Sequence, residues 1–264
     1  MDKFHSYFLV LMLSSLVNSS NVSITYQIAD SSYFDEIHQL LEENFFPDEP
    51  MSRSTGSTQS KYYWSWVWVE EILHYEHSVV TLDEDGTVVG VNLGYDGMEE
   101  EDDEVSLWCT ECENIWEHYI NFLWNMKTLL GKFVPLPTYF SDNPVWAIYW
   151  KASEILGYSD QKGLMKKLNC SEMYNVEFLS VSRNARGKGI GTRLVIEGEK
   201  EAKERGAQCG RVFTTSKYSA KIFSNLGWSE MARLKYEDFK DAEGNRILND
   251  TGDHDVMITY SKLL

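Results

Sequence analysis

The sequence predicts a mixed α/β fold, a mostly antiparallel sheet flanked by helices. Three observations lead there. Strand patterns precede helix patterns in the N-terminal half, hairpins are signalled around Asp85-Gly86 and Gly244, and one β-α-β unit sits late, between residues 176 and 214. At 264 residues one core with insertions is feasible, and no internal repeat is visible.

The elements follow in order. Residues 23–28 read as a first strand. Phe34, Ile37, Leu40, Leu41 and Phe45 make one helical stripe. Residues 46–56, with Pro47, Pro50 and many hydroxyls, read as a loop. Residues 61–77 carry Trp64, Trp66, Trp68, Ile72 and Tyr75 and read as a helix. Residues 78–82 and 87–95 read as a hairpin. Ile115, Trp116, Tyr119, Phe122, Leu123 and Met126 mark a long amphipathic helix, and residues 145–156 a further one. Residues 256–260 return to the sheet after the closing hairpin.

The most informative run is 176–194. Val176, Phe178, Leu179 and Val181 mark a strand, and Leu194, Val195 and Ala202 recur at helical spacing beyond it. Between them lies Arg186-Gly187-Lys188-Gly189-Ile190-Gly191-Thr192, an R-x-x-G-x-G turn. Glycines at a helix N-terminus let several backbone N–H groups face one anion, and the helix dipole favours negative charge there. The turn is therefore suited to a phosphate, and to a pyrophosphate in particular. It fits neither the G-x-G-x-x-G dinucleotide fingerprint nor a G-x-x-x-x-G-K-[ST] loop. Arg186, Lys188 and Arg193 flank it, with Lys221 on the next helix, as phosphate partners or as plain surface cations.

The net charge of -17, from 41 acidic and 24 basic residues, argues against nucleic acid as a partner. It suits a cationic substrate, and equally suits solubility alone. Residues 99–104 read as a solvated acidic loop. Cys109 and Cys112 have metal or redox spacing, but two further clustered ligands are wanting, so no metal is expected. Cys209 opens a core strand and reads as a buried small hydrophobe.

The apolar run 7–17 is short for a bilayer span, so no stable membrane insertion is expected. It has the length of a signal-peptide core. Asn18, Asn21, Asn169 and Asn249 head glycosylation sequons, which also arise by chance. Residues 1–22 are set apart from one domain at 23–264.

The strand, R-x-x-G-x-G and helix, followed by a strand at 209–214, a helix with Ala220, Phe223 and Leu226, and Gly227-Trp228, resemble the GNAT superfamily of acetyl-CoA-dependent N-acetyltransferases. Asn44-Phe-Phe-Pro-Asp-Glu-Pro50 and Thr215-Ser-Lys-Tyr-Ser219 resemble the insect dopamine-type arylalkylamine N-acetyltransferases. The resemblance implies a GNAT fold, acetyl-CoA as co-substrate and a small primary amine as partner. It implies Glu49 as general base, with Ser219 and Thr215 beside the sulfur. It also implies a bulged strand whose backbone near Leu179, Ser180 and Val181 pairs with the pantetheine arm. The use of acetyl-CoA inside cells makes the cytoplasm the expected location, with the secretory pathway as the alternative.

The chain departs from the superfamily at Phe223, which lacks the tyrosine hydroxyl that many members offer the thiolate. That leaves Ser219, with Thr215 or Tyr218. From the residues alone, Ser219 serves equally as a helix-start hydroxyl, and Glu49 as an exposed turn carboxylate. The aromatic residues at 62–75, with Trp146, Tyr149 and Trp150, line a substrate pocket or pack the core. Polyamine or peptide amines, or an acyl-CoA-binding module without turnover, stay open beside the arylalkylamines.

Overall fold

The computed structural model describes residues 24–56, 63–98, 144–241 and 244–264. The long helix expected from Ile115 to Met126, the Cys109/Cys112 pair, the acidic run 99–104 and the first sequons lie outside them.

Seven described strands form one sheet. They are β1 (Thr25–Ala29), β2 (Ser78–Leu82), β3 (Val88–Met98), β4 (Glu172–Val181), β5 (Cys209–Thr214), β6 (Ser229–Lys235) and β7 (Val256–Leu263). Their order is β1-β2-β3-β4-β5-β7-β6, and every pairing is antiparallel except β4 with β5. The parallel pair requires a crossover, which α6 (Ile190–Glu204) supplies after the glycine turn. The mixed, mostly antiparallel α/β expectation therefore holds.

Helices cover both faces. On one face α1 (Phe34–Asn44) and α3 (Tyr63–His74) bury Ile37, Leu40, Leu41, Val69, Ile72 and Leu73 against Val91, Leu93 and Phe178. On the same side α4 (Pro144–Ile155) packs with Phe213, Tyr236 and Met257. On the other face α6 and α7 (Lys217–Asn225) bury Val195 and Phe223 against Tyr174, Val176, Val212 and Ile258. Valines 79 and 80 of β2 enter opposite cores, as the strand's two-residue period requires.

The backbone of α6 approaches the sheet at Gly198. A Cβ there would collide with the Asn92 amide and the Tyr174 hydroxyl, both fully buried. Asn92 Nδ2 donates to Tyr174 Oη at 3.2 Å and to the Leu194 carbonyl at 3.2 Å, so neither group yields without losing a buried hydrogen bond. Gly198→Ala is expected to destabilise the protein by about 1–3 kcal/mol, read from the midpoint of a urea titration.

Two expectations need correction, and one helix is new. Residues 46–56 are not all loop, because Pro50–Thr55 form helix α2, with Glu49 as N-cap, Pro50 in the first turn and Gly56 in the left-handed conformation at its end. Cys209 is fully buried but is no free thiol, being bonded to Cys170 in a disulfide. Residues 161–168 form an unanticipated helix, α5 (Gln161–Leu168), capped by Asp160, whose side chain accepts from the Gly163 N–H at 2.9 Å.

Candidate active site

Strands β4 and β5 pair from Met173/Cys209 only as far as Val176/Val212, and then diverge. β4 continues to Val181 along β3, and β5 to Thr214 along β7, so the sheet opens into a fork. A register shift marks its apex. Leu93 faces Phe178 and Gly94 faces Val176, leaving Glu177 as the extra residue of a bulge. Beyond it, Leu179, Ser180 and Val181 keep β3 on one edge and have no β5 partner on the other. The Ser180 hydroxyl is buried in this segment with no hydrogen-bond partner.

The glycine turn follows β4 directly. Gly187 and Gly189 adopt positive φ (78° and 81°), a region closed to most side chains. α6 then starts at Ile190 with no side-chain cap, so the N–H groups of its first turn are left to an outside acceptor. Lys188 is exposed beside it with no ion-pair partner among the described residues. Ile222 of α7 packs at Gly191, which brings α7 and the exposed Lys221 alongside the turn. Arg193 is paired with Glu197 one turn on.

Arg186 is placed differently from expectation. Its Nε donates to the Val181 carbonyl at 2.9 Å, Nη2 to the Asn44 carbonyl at 2.7 Å, and Nη1 to Asp48 at 2.7 Å. Arg183 meets the other Asp48 oxygen at 2.9 Å, and its N–H donates to Asn44 Oδ1 at 2.9 Å. Burial would raise the Asp48 pKa, but the two guanidinium groups outweigh it and hold the carboxyl below its ordinary value. The two arginines clamp the 44–49 segment to the glycine turn. Sequence reasoning missed Asp48 and Arg183, since nothing local says that residues 135 positions apart will meet.

That clamp positions Glu49, which is 9% exposed. Its Oε1 accepts from the Met51 N–H at 3.0 Å, and its Oε2 from the Ser52 N–H at 2.7 Å and the Ser52 hydroxyl at 2.8 Å. The carboxylate is therefore a helix cap with a fixed orientation, not an exposed turn residue. Tyr236 and His254 lie within its electrostatic reach. Burial first and the Glu49 charge second hold the Tyr236 phenol well above its ordinary pKa, so it stays protonated and donates to the Thr215 carbonyl. Burial lowers the His254 pKa, with nearby charges acting in both directions, and its Nδ1 accepts from the Lys217 N–H at 3.2 Å.

Ser219 makes its hydrogen bonds with the neighbouring Ser216. Ser219 N–H donates to Ser216 Oγ at 3.1 Å, and the Ser219 hydroxyl lies 3.0 Å from both the carbonyl and the hydroxyl of Ser216. Ser216, not Thr215, is its hydroxyl partner and the cap of α7. Tyr218 is 61% exposed, and its hydroxyl donates to Asp253 at 3.1 Å. Phe223 lies in the core, edge-on to Trp228. Among the aromatic residues, Trp68 packs edge-on against Tyr95, and Tyr149 stands 5.3 Å from the Phe213 ring. The side chains of Trp64, Trp66, Trp146 and Trp150 lie outside the described residues.

A forked sheet with a glycine turn and an open helix N-terminus at its mouth defines the architecture of the GNAT acyl-CoA N-acyltransferases. Residues 136–228 match the model of the Acetyltransferase (GNAT) family. Residues 136–228 thus carry a GNAT acetyltransferase domain, the domain of acetyl-CoA-dependent N-acetyltransferases.

Its fold is shared with solved structures of low identity. Arylalkylamine N-acetyltransferase 2 from Aedes aegypti superposes with a TM-score of 0.73 at 19% identity, covering 91% of this chain and 99% of that one. A polyamine N-acetyltransferase from Drosophila melanogaster, described as forming N-acetylagmatine, gives 0.65 at 19% identity, covering 92% and 100%. An agmatine N-acetyltransferase mutant gives 0.66 at 18% identity, covering 91% and 99%. Among the described residues no helix is long and apolar enough to cross a membrane, and no cluster of three metal-ligating side chains occurs.

Proposed function

We propose that residues 23–264 act as one domain that transfers acetyl from acetyl-CoA to a small primary amine, by direct attack in a ternary complex. The observation that carries this reading is the clamp of Arg183 and Arg186 on Asp48, which fixes a buried carboxylate beside the forked sheet and its glycine turn.

In this reading the coenzyme pyrophosphate sits on the backbone N–H groups from Gly187 to Thr192, with Lys188 and Lys221 supplying charge. Arg186 holds the turn in place through its contacts to Val181, Asn44 and Asp48. The pantetheine arm lies along Leu179, Ser180 and Val181, where β4 has no β5 partner, and a strand N–H there stabilises the oxyanion. An amine with a pKa of about 10 arrives protonated and must lose its proton before attack. Glu49 takes it, directly or through water. Ser219, at the start of α7 and bonded to Ser216, serves the departing thiolate.

The test is acetyl-CoA-dependent thiol release by residues 23–264 with aromatic monoamines, polyamines and a basic peptide. Turnover with arylalkylamines would support the substrate that the sequence resemblance implies. Turnover with polyamines or peptide alone keeps the acetyl transfer and discards the arylalkylamine assignment. Tight coenzyme A binding without turnover overturns the enzyme reading in favour of a binding module. For location, the Cys170–Cys209 bond supports the secretory alternative over the cytoplasmic one, because such bonds persist in oxidising compartments.

A further inference from the structure

The fork's apex holds a charged group that the transfer chemistry above does not use. Glu177, the extra residue of the β4 bulge, points to the α4 side of the sheet, among Tyr95, Tyr149, Tyr158 and Arg211. Glu177, Tyr95 and Tyr149 are each half-buried on this face.

The carboxylate is poorly compensated. Among the described residues the Tyr95 hydroxyl meets it at a long 3.4 Å, with the Tyr158 side chain close by. Arg211 is near enough to act through space but makes no ion pair with it. Its donors go instead to the side chains of Asn175 and Gln161 and the Tyr158 carbonyl, with the guanidinium 4.3 Å above the Tyr158 ring. Burial raises the Glu177 pKa, and Arg211 only partly opposes it. Tyr158 beside it is 7% exposed, and its hydroxyl makes no hydrogen bond of ordinary length.

A desolvated carboxylate short of donors, ringed by aromatic faces, is a site for an organic cation. A neutral hydroxyl would add little to what Tyr95 already gives. The Tyr149 and Phe213 rings extend from this face into the core shared by Tyr236 and Met51, next to Glu49. Within this one cluster, Glu177 lies within electrostatic reach of Tyr149 and Glu49 within that of Tyr236.

We propose that Glu177, with the hydroxyls of Tyr95, Tyr149 and Tyr158, holds the second, non-reacting cation of a dicationic amine substrate, a diamine or a guanidino-amine. This rests on the acetyl-transfer reading and narrows its substrate class.

The test compares α,ω-diamines of three to six carbons with the monoamines of equal length. In calorimetric binding to the coenzyme A-saturated protein, some diamine is expected to bind at least about tenfold tighter than its monoamine. Glu177→Gln, which keeps shape and removes charge, is expected to abolish that preference, and to lower the ratio of diamine to monoamine kcat/KM equally. Equal binding of both series by the wild type, or a preference that survives Glu177→Gln, overturns the proposal. So does an effect of Glu177→Gln on tyramine relative to phenethylamine with none on the diamine ratio, which would mark a phenol site.

If Glu177→Gln fails to fold by circular dichroism, Tyr158→Phe decides. It deletes only that hydroxyl, and a preference reduced about threefold or more is expected. An unchanged preference refutes the subsite. Absence of acetyl transfer to every amine would sink the enzyme reading, whereas the calorimetric preference would still report on Glu177.

Discussion

Turnover by the Glu49→Gln protein is expected to fall by about 10²- to 10⁴-fold, the usual contribution of a general base. The loss should appear in kcat, with the affinity for coenzyme A kept, because the glycine turn does not depend on the Glu49 charge. The difficulty is that Glu49 also caps α2 with three hydrogen bonds. A glutamine keeps one acceptor oxygen and turns an amide nitrogen towards donors, so a stability cost of about 1 kcal/mol is expected as well. Ser52→Ala separates the two roles. It removes one cap bond, the 2.8 Å contact, and leaves the carboxylate in place. It should lose stability without the large loss of turnover. Full activity in Glu49→Gln, or an equal loss in Ser52→Ala, would return Glu49 to a purely structural role.

The strand, turn and helix of the acyl-CoA segment were legible because they depend on local rules. Hydrophobic spacing changes period across Gly187 to Gly191, and the glycines sit where positive φ and an uncapped helix start require them. The short helix α2 carried readable signals too, with an acidic residue, then Pro50, then Gly56, in the order of a cap, a first turn and a stop. Its hydroxyl-rich composition outweighed them in the loop reading, and its buried residues Met51 and Ser52 owe their burial to distant partners. Ser216 was passed over for the same reason that Ser219 was chosen, since a spacing comparison cannot tell which of two hydroxyls caps the helix.

Glu177 was out of reach. A bulge is defined by the partner strand, and the shift opposite Gly94 leaves no mark in the alternation of β4 itself. The Asp48 clamp likewise exists only after folding brings the end of α1 to the end of β4.

The largest stability effect is expected from the disulfide. The double variant Cys170→Ala/Cys209→Ala should lose about 2–4 kcal/mol, from the entropy that a cross-link removes from the unfolded chain. The cross-linked cysteines are 39 residues apart, and the loop they close contains β4, the glycine turn and α6. The bond ties the closed end of the fork, where β4 and β5 still pair, through a small core of Met165 and Met173. Because it acts at that end, it resists separation of the parallel strands without restricting the open end. For a chain of this size, 2–4 kcal/mol corresponds to a drop of roughly 5–15 °C in Tm. Reduction of the native protein should lower Tm comparably, and under denaturing, non-reducing conditions the intact mass should lie at least about 2 Da below that of the reduced chain, one hydrogen per sulfur. A mass that does not change on reduction, in protein made under oxidising conditions, would show that Cys170 and Cys209 stay thiols. The support for a secretory location would go with it, and the loss expected of the double variant would shrink to that of two small core substitutions.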